Sequence, residues 1–106
     1  LPPRLPMFVH LVLIKLKPGV RRDDPRVVAW RDAFVAPGHK CPGIVRFEHG
    51  WNTTDRPIAW DYGVNMAFAT RADLDADGPH PDHQTVVALE REIADWAICD
   101  DEAPDA

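Results

Sequence analysis

The sequence predicts an α+β fold, with strands and helices in the order β-α-β-β-α-β and helices covering the sheet on one side only. Three observations lead there. The segment FVHLVLIKLK (8–17) is rich in β-branched and apolar residues and stops at Lys17, Pro18 and Gly19. The segment WDYGVNMAF (60–68) alternates so regularly that Trp60, Tyr62, Val64, Met66 and Phe68 share one face. Two further segments, one after Asp23 and Asp24 and one at Pro81, begin with proline and carry apolar residues at helical spacing.

The first strand has two faces: Phe8, His10, Val12, Ile14 and Leu16 on one, Val9, Leu11, Leu13, Lys15 and Lys17 on the other. Both are apolar over most of their length, so both are expected to be buried. Pro25 suits the first turn of a helix, and Val27, Trp30 and Phe34 then form one apolar stripe, which Pro37 and Gly38 are expected to end. Cys41 to Gly43 make a turn into a second strand, IVRFEHG (44–50), and residues 51–59 read as a polar hairpin connection to the third. RADLDADG (71–78) is short helix or irregular chain. A second helix is expected from Pro81 to about Asp95, and AICDDE (97–102) closes as the last strand. This order is the ferredoxin-like arrangement, an antiparallel sheet with both helices on one face. The face carrying Val9, Leu11 and Leu13 is then bare, and a second copy of the chain is its simplest cover.

At 106 residues the chain is one domain by size. Its net charge of -5, from 12 basic and 17 acidic residues, argues against a nucleic-acid partner, which calls for a basic patch. No apolar run approaches the ~20 residues needed to span a bilayer, so a membrane role is not expected. The opening LPPRLP (1–6) has prolines where the apolar core of a secretory signal would stand. It is expected to be an extended arm, with Met7 as a candidate native start, and residues 103–106 an acidic tail, leaving a domain over 7–102. Cys41 and Cys99 are too few and too far apart for a disulfide framework or a zinc knuckle; the expectation is two reduced thiols in a cytoplasmic protein.

The stretch DGPHPDHQTVV (77–87) places two histidines around one proline. A metal pair, a catalytic base and a helix start with incidental imidazoles all fit it. DLDADG (73–78) opens like a calcium loop, but the position that requires a bidentate glutamate is Gln84. Pro81 pushes His80 into an extended conformation, so His80 and His83 do not share a helix face as zinc ligands would, even with Asp77 as a third ligand. No metal is expected. For a base, His83, Val86, Leu89 or Glu90, and Ile93 lie along one side of the helix, with His83 at the head of the stripe. His10 lies among Phe8, Val12 and Ile14. If both histidines enter one sheet–helix interior, partial desolvation brings an imidazole within reach of acid/base work near neutral pH. The plainer reading makes His83 a capping or surface residue and His10 a core residue with satisfied nitrogens. His39 and His49 lie beside turns and read as solvated; His80 reads as a helix-entry residue. Trp30 and Trp96 fit the helix–sheet core, Trp60 heads the inward face of its strand, and Trp51 sits at the hairpin as an exposed or dimer-contact aromatic.

Taken together, FVHLVLIKLKPGV, PGIVRFEHGWN, HPDHQTVV and AICDDE resemble the stress-responsive dimeric α/β-barrel (Dabb) domains over about residues 7–102. The pattern H-x-V-x-x-K-x-K-P-G joined to H-P-x-H is the specific part. The resemblance implies a homodimer whose two sheets face each other as a barrel. Among enzymes of this kind, the plant olivetolic acid cyclase folds a linear poly-β-ketone thioester by an aldol condensation, without a cofactor. Its catalytic histidine, the second of H-P-x-H, falls on His83, and its first-strand histidine on His10. Its helper tyrosine falls on Asp77, which is not a phenol, and a third-strand histidine falls on Tyr62, the chain's single tyrosine.

The function expected on these grounds is a cofactor-independent cyclase or lyase acting on an oxo, polyketide-like small molecule. His83 takes a proton from carbon beside a carbonyl, Tyr62 or His10 hydrogen-bonds the developing enolate oxygen, and Asp77 orients His83. Phe8, Val12, Trp60, Val64 and Val86 are expected to contact the ligand, a small apolar or aromatic oxo compound. The alternative is a non-catalytic, stress-associated binding dimer that keeps the pocket without requiring a base. A cofactor-free monooxygenase of the same dimeric fold rests on fold analogy alone. A cavity shared by His83 and His10 favours the first; separate enclosed burial favours a structural role.

Overall fold

Strand β1 (Pro6–Leu16) lies inside the sheet and is hydrogen-bonded along both edges. It is followed by α1 (Pro25–His39), β2 (Ile44–Trp51), β3 (Tyr62–Phe68), α2 (Arg71–Asp77), α3 (Pro81–Ile93) and β4 (Ala94–Pro104) in a computed structural model that describes residues 6–104. The four strands run antiparallel in the order β2-β3-β1-β4, the ferredoxin-like topology. Register fixes what meets what: His10 lies between Met66 and Asp100, Val12 between Val64 and Ile98, Ile14 between Tyr62 and Trp96. Helices α1 and α3 pack on each other, and the core between them and the sheet is Ile14, Val27, Trp30, Tyr62 and Ile93, all essentially without exposure. Full burial of side chains of this size contributes roughly 1.5–3 kcal/mol each.

Both principal helices begin as the sequence indicates. Asp24 caps α1 by accepting from the Arg26 N–H, with Pro25 in the first turn. His80 caps α3, its Nδ1 accepting from the Asp82 N–H at 3.1 Å. The helix-entry reading of His80 thus describes its observed contact.

Their ends differ from expectation. Helix α1 continues through Pro37 and Gly38 to His39. Pro37 forfeits its N–H bond in the last turn of the helix, and Gly38 lies against the Phe47 ring, where any β-carbon would collide. Helix α3 stops at Ile93, not near Asp95, because strand pairing takes over: Lys17 N–H donates to Ile93 O at 2.9 Å and Ala94 already lies opposite Leu16. Trp96 therefore belongs to β4, not to the helix. Strand β3 starts at Tyr62, leaving Trp60 in the approach. There Asp61 N–H donates to Ile14 O and its carboxylate accepts Leu16 N–H, both at 2.8 Å, so a side chain substitutes for the next rung of the ladder.

The calcium-like DLDADG segment folds into α2, capped by the Thr70 hydroxyl accepting from Asp73 N–H. The first and last strands are longer than expected: Pro6 lies opposite Pro104 and Met7 opposite Ala103, so positions assigned to the arm and the tail pair in the sheet. The remainder of that arm and tail, residues 1–5 and 105–106, lies outside the described residues. Of the second apolar face of β1, Val9 is already enclosed within the chain at 4% exposure, whereas Leu13 remains 49% exposed. Among the described residues no helix is long and apolar enough to cross a membrane.

Candidate functional site

Between the sheet and the two long helices lies a cavity of about 370 Å³, within the usual range for small-molecule sites. Its apolar wall comes from Val12 of β1, Val64 and Met66 of β3, Trp30 and Phe34 of α1, Val86 of α3, and Trp96 and Ile98 of β4. His10 and His83 both stand in the same wall, with Asp77, Cys41 and Glu90. The two histidines come from opposite ends of the chain; the inward face of β1 and the head of the α3 stripe bring them together.

Each has a carboxylate beside it. His10 Nδ1 lies 2.5 Å from Asp100 Oδ1, its cross-strand neighbour on β4. A carboxylate accepts, so Nδ1 donates and Nε2 is the nitrogen left for a ligand. His83 Nδ1 lies 3.6 Å from Asp77 Oδ2, an electrostatic contact too long for a hydrogen bond. The other oxygen of Asp77 accepts the Cys41 thiol at 3.4 Å. Burial first, and then the Asp77 charge, push that thiol up to about 11. Cys41 is a protonated donor at neutral pH, which suits positioning Asp77 rather than nucleophilic attack. Among the described residues no three histidine, cysteine or acidic side chains converge as a metal site would require.

The most perturbed group in the wall is one the motif reading passed over. Glu90 is 6% exposed, and its Oε1 accepts the Trp30 indole N–H at 3.0 Å. Burial pushes its carboxyl up to about 7, against a smaller lowering from the indole bond. Its signal was its position seven residues after His83, two helical turns on the same side. Asp100 carried no such signal, because its partnership with His10 depends on strand register.

Val12, Val64 and Val86 line the cavity, whereas Phe8, Trp60 and Tyr62 do not. Phe8 lies beyond it, opposite Phe68 at the far end of β1. Trp60 is in the connection before β3. Tyr62, expected as a donor to the ligand, faces the helices but stands opposite Ile14, four residues and about 13 Å along β1 from the His10 position. Its hydroxyl is taken inside the core by Arg31 Nε at 3.1 Å and His49 Nδ1 at 2.6 Å. His49 is correspondingly not a solvated residue: it stacks on Tyr62 at 17°. Burial, followed by the Arg31 charge, lowers its pKa.

Fold and site together define a small ferredoxin-like domain with an ionisable, mainly apolar cavity between sheet and helices. The chain belongs to the Stress Responsive A/B Barrel Domain family, whose model matches residues 8–102. It is 47% identical over 94 residues to an uncharacterized protein of Streptomyces coelicolor, the match covering 89% of this chain and 97% of that protein. Among solved structures it is similar to a dimeric ferredoxin-like protein of Bacteroides fragilis, at 25% identity and TM-score 0.74, covering 91% of this chain and 95% of the other. The hydroxynitrile lyase of Passiflora edulis superposes with TM-score 0.77 over 99% of this chain and 98% of its own, at 12% identity, a likeness of fold.

Glu90 gives the fold a pH dependence of definite sign. Its folded pKa, about 7, lies above the ordinary value of 4.5. The cost of ionising it therefore appears as pH rises through that interval and is complete above it, on the order of 3 kcal/mol. Between about pH 5 and about pH 8 the thermal midpoint of the wild type is expected to fall, and that of Glu90→Gln to fall less. Differential scanning calorimetry of both proteins checks this.

Proposed function

We propose that this protein is a homodimeric, cofactor-independent lyase or cyclase that moves a proton at carbon next to a carbonyl of a small oxo compound. The observation that carries the reading is the single cavity into which His10 and His83 both open, each beside a carboxylate. In the step proposed, His83 takes the proton and Asp77 steadies the imidazolium that results. His10, held through Nδ1 by Asp100, donates from Nε2 to the enolate oxygen when that nitrogen carries a proton. In the polyketide-like case the enolate carbon attacks a second carbonyl of the same molecule. His83 then returns its proton to the new alkoxide, so the conversion balances without an oxidant or reductant. The walls of Val12, Val64, Val86 and Trp96 suit an apolar or aromatic body.

Two findings support the dimer: the uncovered sheet face with Leu11, Leu13, Ala97 and Cys99, and the similar Bacteroides fragilis protein described as dimeric. Facing copies would remove this apolar surface from water. Leu13→Arg is expected to convert the dimer to a monomer by light scattering, while the circular dichroism of the helices and sheet persists. A Leu13→Arg protein that keeps the dimer mass places the interface elsewhere.

His83→Ala is expected to lower kcat/KM on a poly-β-ketone thioester by about 100-fold or more while the thermal midpoint stays near wild type. Unchanged turnover removes His83 as the base. Tight ligand binding with no turnover by the wild type assigns the cavity to a non-catalytic binding dimer instead.

A further inference from the structure

Glu90 has no part in the proton transfer just described, yet it is the most enclosed carboxylate of the described residues, at 6% exposure. On α3 it follows His83 by seven residues, so the two share one side of the helix and stand about 10 Å apart along its axis. Oε1 accepts the Trp30 indole N–H. Oε2 makes no hydrogen bond among the described residues, and it is not sealed away either, since Arg46 Nε is the one fully enclosed side-chain polar atom there without a partner. Oε2 is therefore accessible, in a residue that lines the cavity. An indole N–H can only donate, so it fixes Oε1 as an acceptor and leaves Oε2 to carry any proton of the carboxyl group.

We propose that Oε2 of Glu90 donates a hydrogen bond to a second acceptor oxygen of the ligand, about 10 Å from the carbon that faces His83. The ligand class is then narrower than an oxo compound. It is an elongated molecule with an apolar middle, seated against Trp30, Phe34, Val86 and Trp96, and an oxo group at each end. This rests on the reading of the cavity as a ligand site, and it adds a contact that the proton transfer does not need.

The carboxyl keeps its proton up to about pH 7, because burial pushes it there. Once it ionises, the donor is gone and a buried carboxylate faces an acceptor oxygen, which is repulsive. The other charged or titratable groups around the cavity are His10 of β1, Lys40 and Cys41 after α1, Asp77 of α2, and His80, Asp82 and His83 at the start of α3. All of them remain in a Glu90 variant, so the comparison with wild type isolates Glu90.

The test is calorimetric binding of two probes to the intact protein: dimethyl azelate, which carries a carbonyl at each end, and methyl nonanoate, which carries one. At about pH 6 the wild type is expected to prefer the diester by about 10-fold, and at about pH 8.5 to lose that preference. Glu90→Gln, whose amide donates at either pH, keeps the preference at both, and Glu90→Leu shows it at neither. Equal affinity of the wild type for both probes at about pH 6, a preference that survives Glu90→Leu, or no binding of either probe overturns the proposal. His83→Ala is expected to retain the diester preference. A failure of the acid/base reading therefore shows as unaltered turnover in His83→Ala, and a failure of the Glu90 contact as equal affinities.

Discussion

Strand β1 is apolar on both faces and paired along both edges, and the rest of the molecule is arranged around that constraint. A strand in this position leaves no backbone group free and must have both of its faces covered. One chain supplies only one layer of helices, packed over Ile14, Trp30, Tyr62 and Ile93. The opposite face, with Leu13 half exposed, is left for another surface. The closed core and the need for a partner thus have the same origin in the side-chain pattern of one segment.

The cavity follows from where that core stops. Tight packing occupies the Ile14 end of β1, where Tyr62 meets Trp30 and Phe34 edge to face. Towards His10 the wall includes Val12, Val64 and Met66 on the sheet and Val86 on α3, and the space between sheet and helices stays open. Polar groups that open there need partners, and the fold supplies one for each by a different device. Strand register gives Asp100 to His10, α2 gives Asp77 to His83 and Cys41, and α1 gives Trp30 to Glu90. The result is a mainly apolar chamber with a few oriented proton-bearing groups in its wall.

The topology and much of the wall were legible in the sequence because they rest on periodicity. Alternation put Val12 and Val64 on the inward faces, and helical spacing put His83 and Val86 on the inward side of α3. What periodicity specifies is a face, not a position along it. Tyr62 lies on the correct face of β3 but at the wrong end of the strand, and its hydroxyl is satisfied within the core. Trp60 was lost to the same kind of error, since Asp61 ends the strand pairing with a side-chain bond that no alternation pattern announces. Asp100 could be paired with His10 only once the β1–β4 register was known. Glu90 was visible on the stripe with His83, but an acidic residue between Leu89 and Arg91 reads as surface until Trp30 is seen to receive it.

If His10 and His83 serve one ligand site, a ligand bound there meets both rings. The deciding measurement follows both imidazole side chains by NMR while a single aromatic β-diketone, benzoylacetone, is added to the protein. Resonances of both rings are expected to move together, with one common dissociation constant. Movement of only one ring, or of neither while the ligand binds elsewhere, would contradict a shared site.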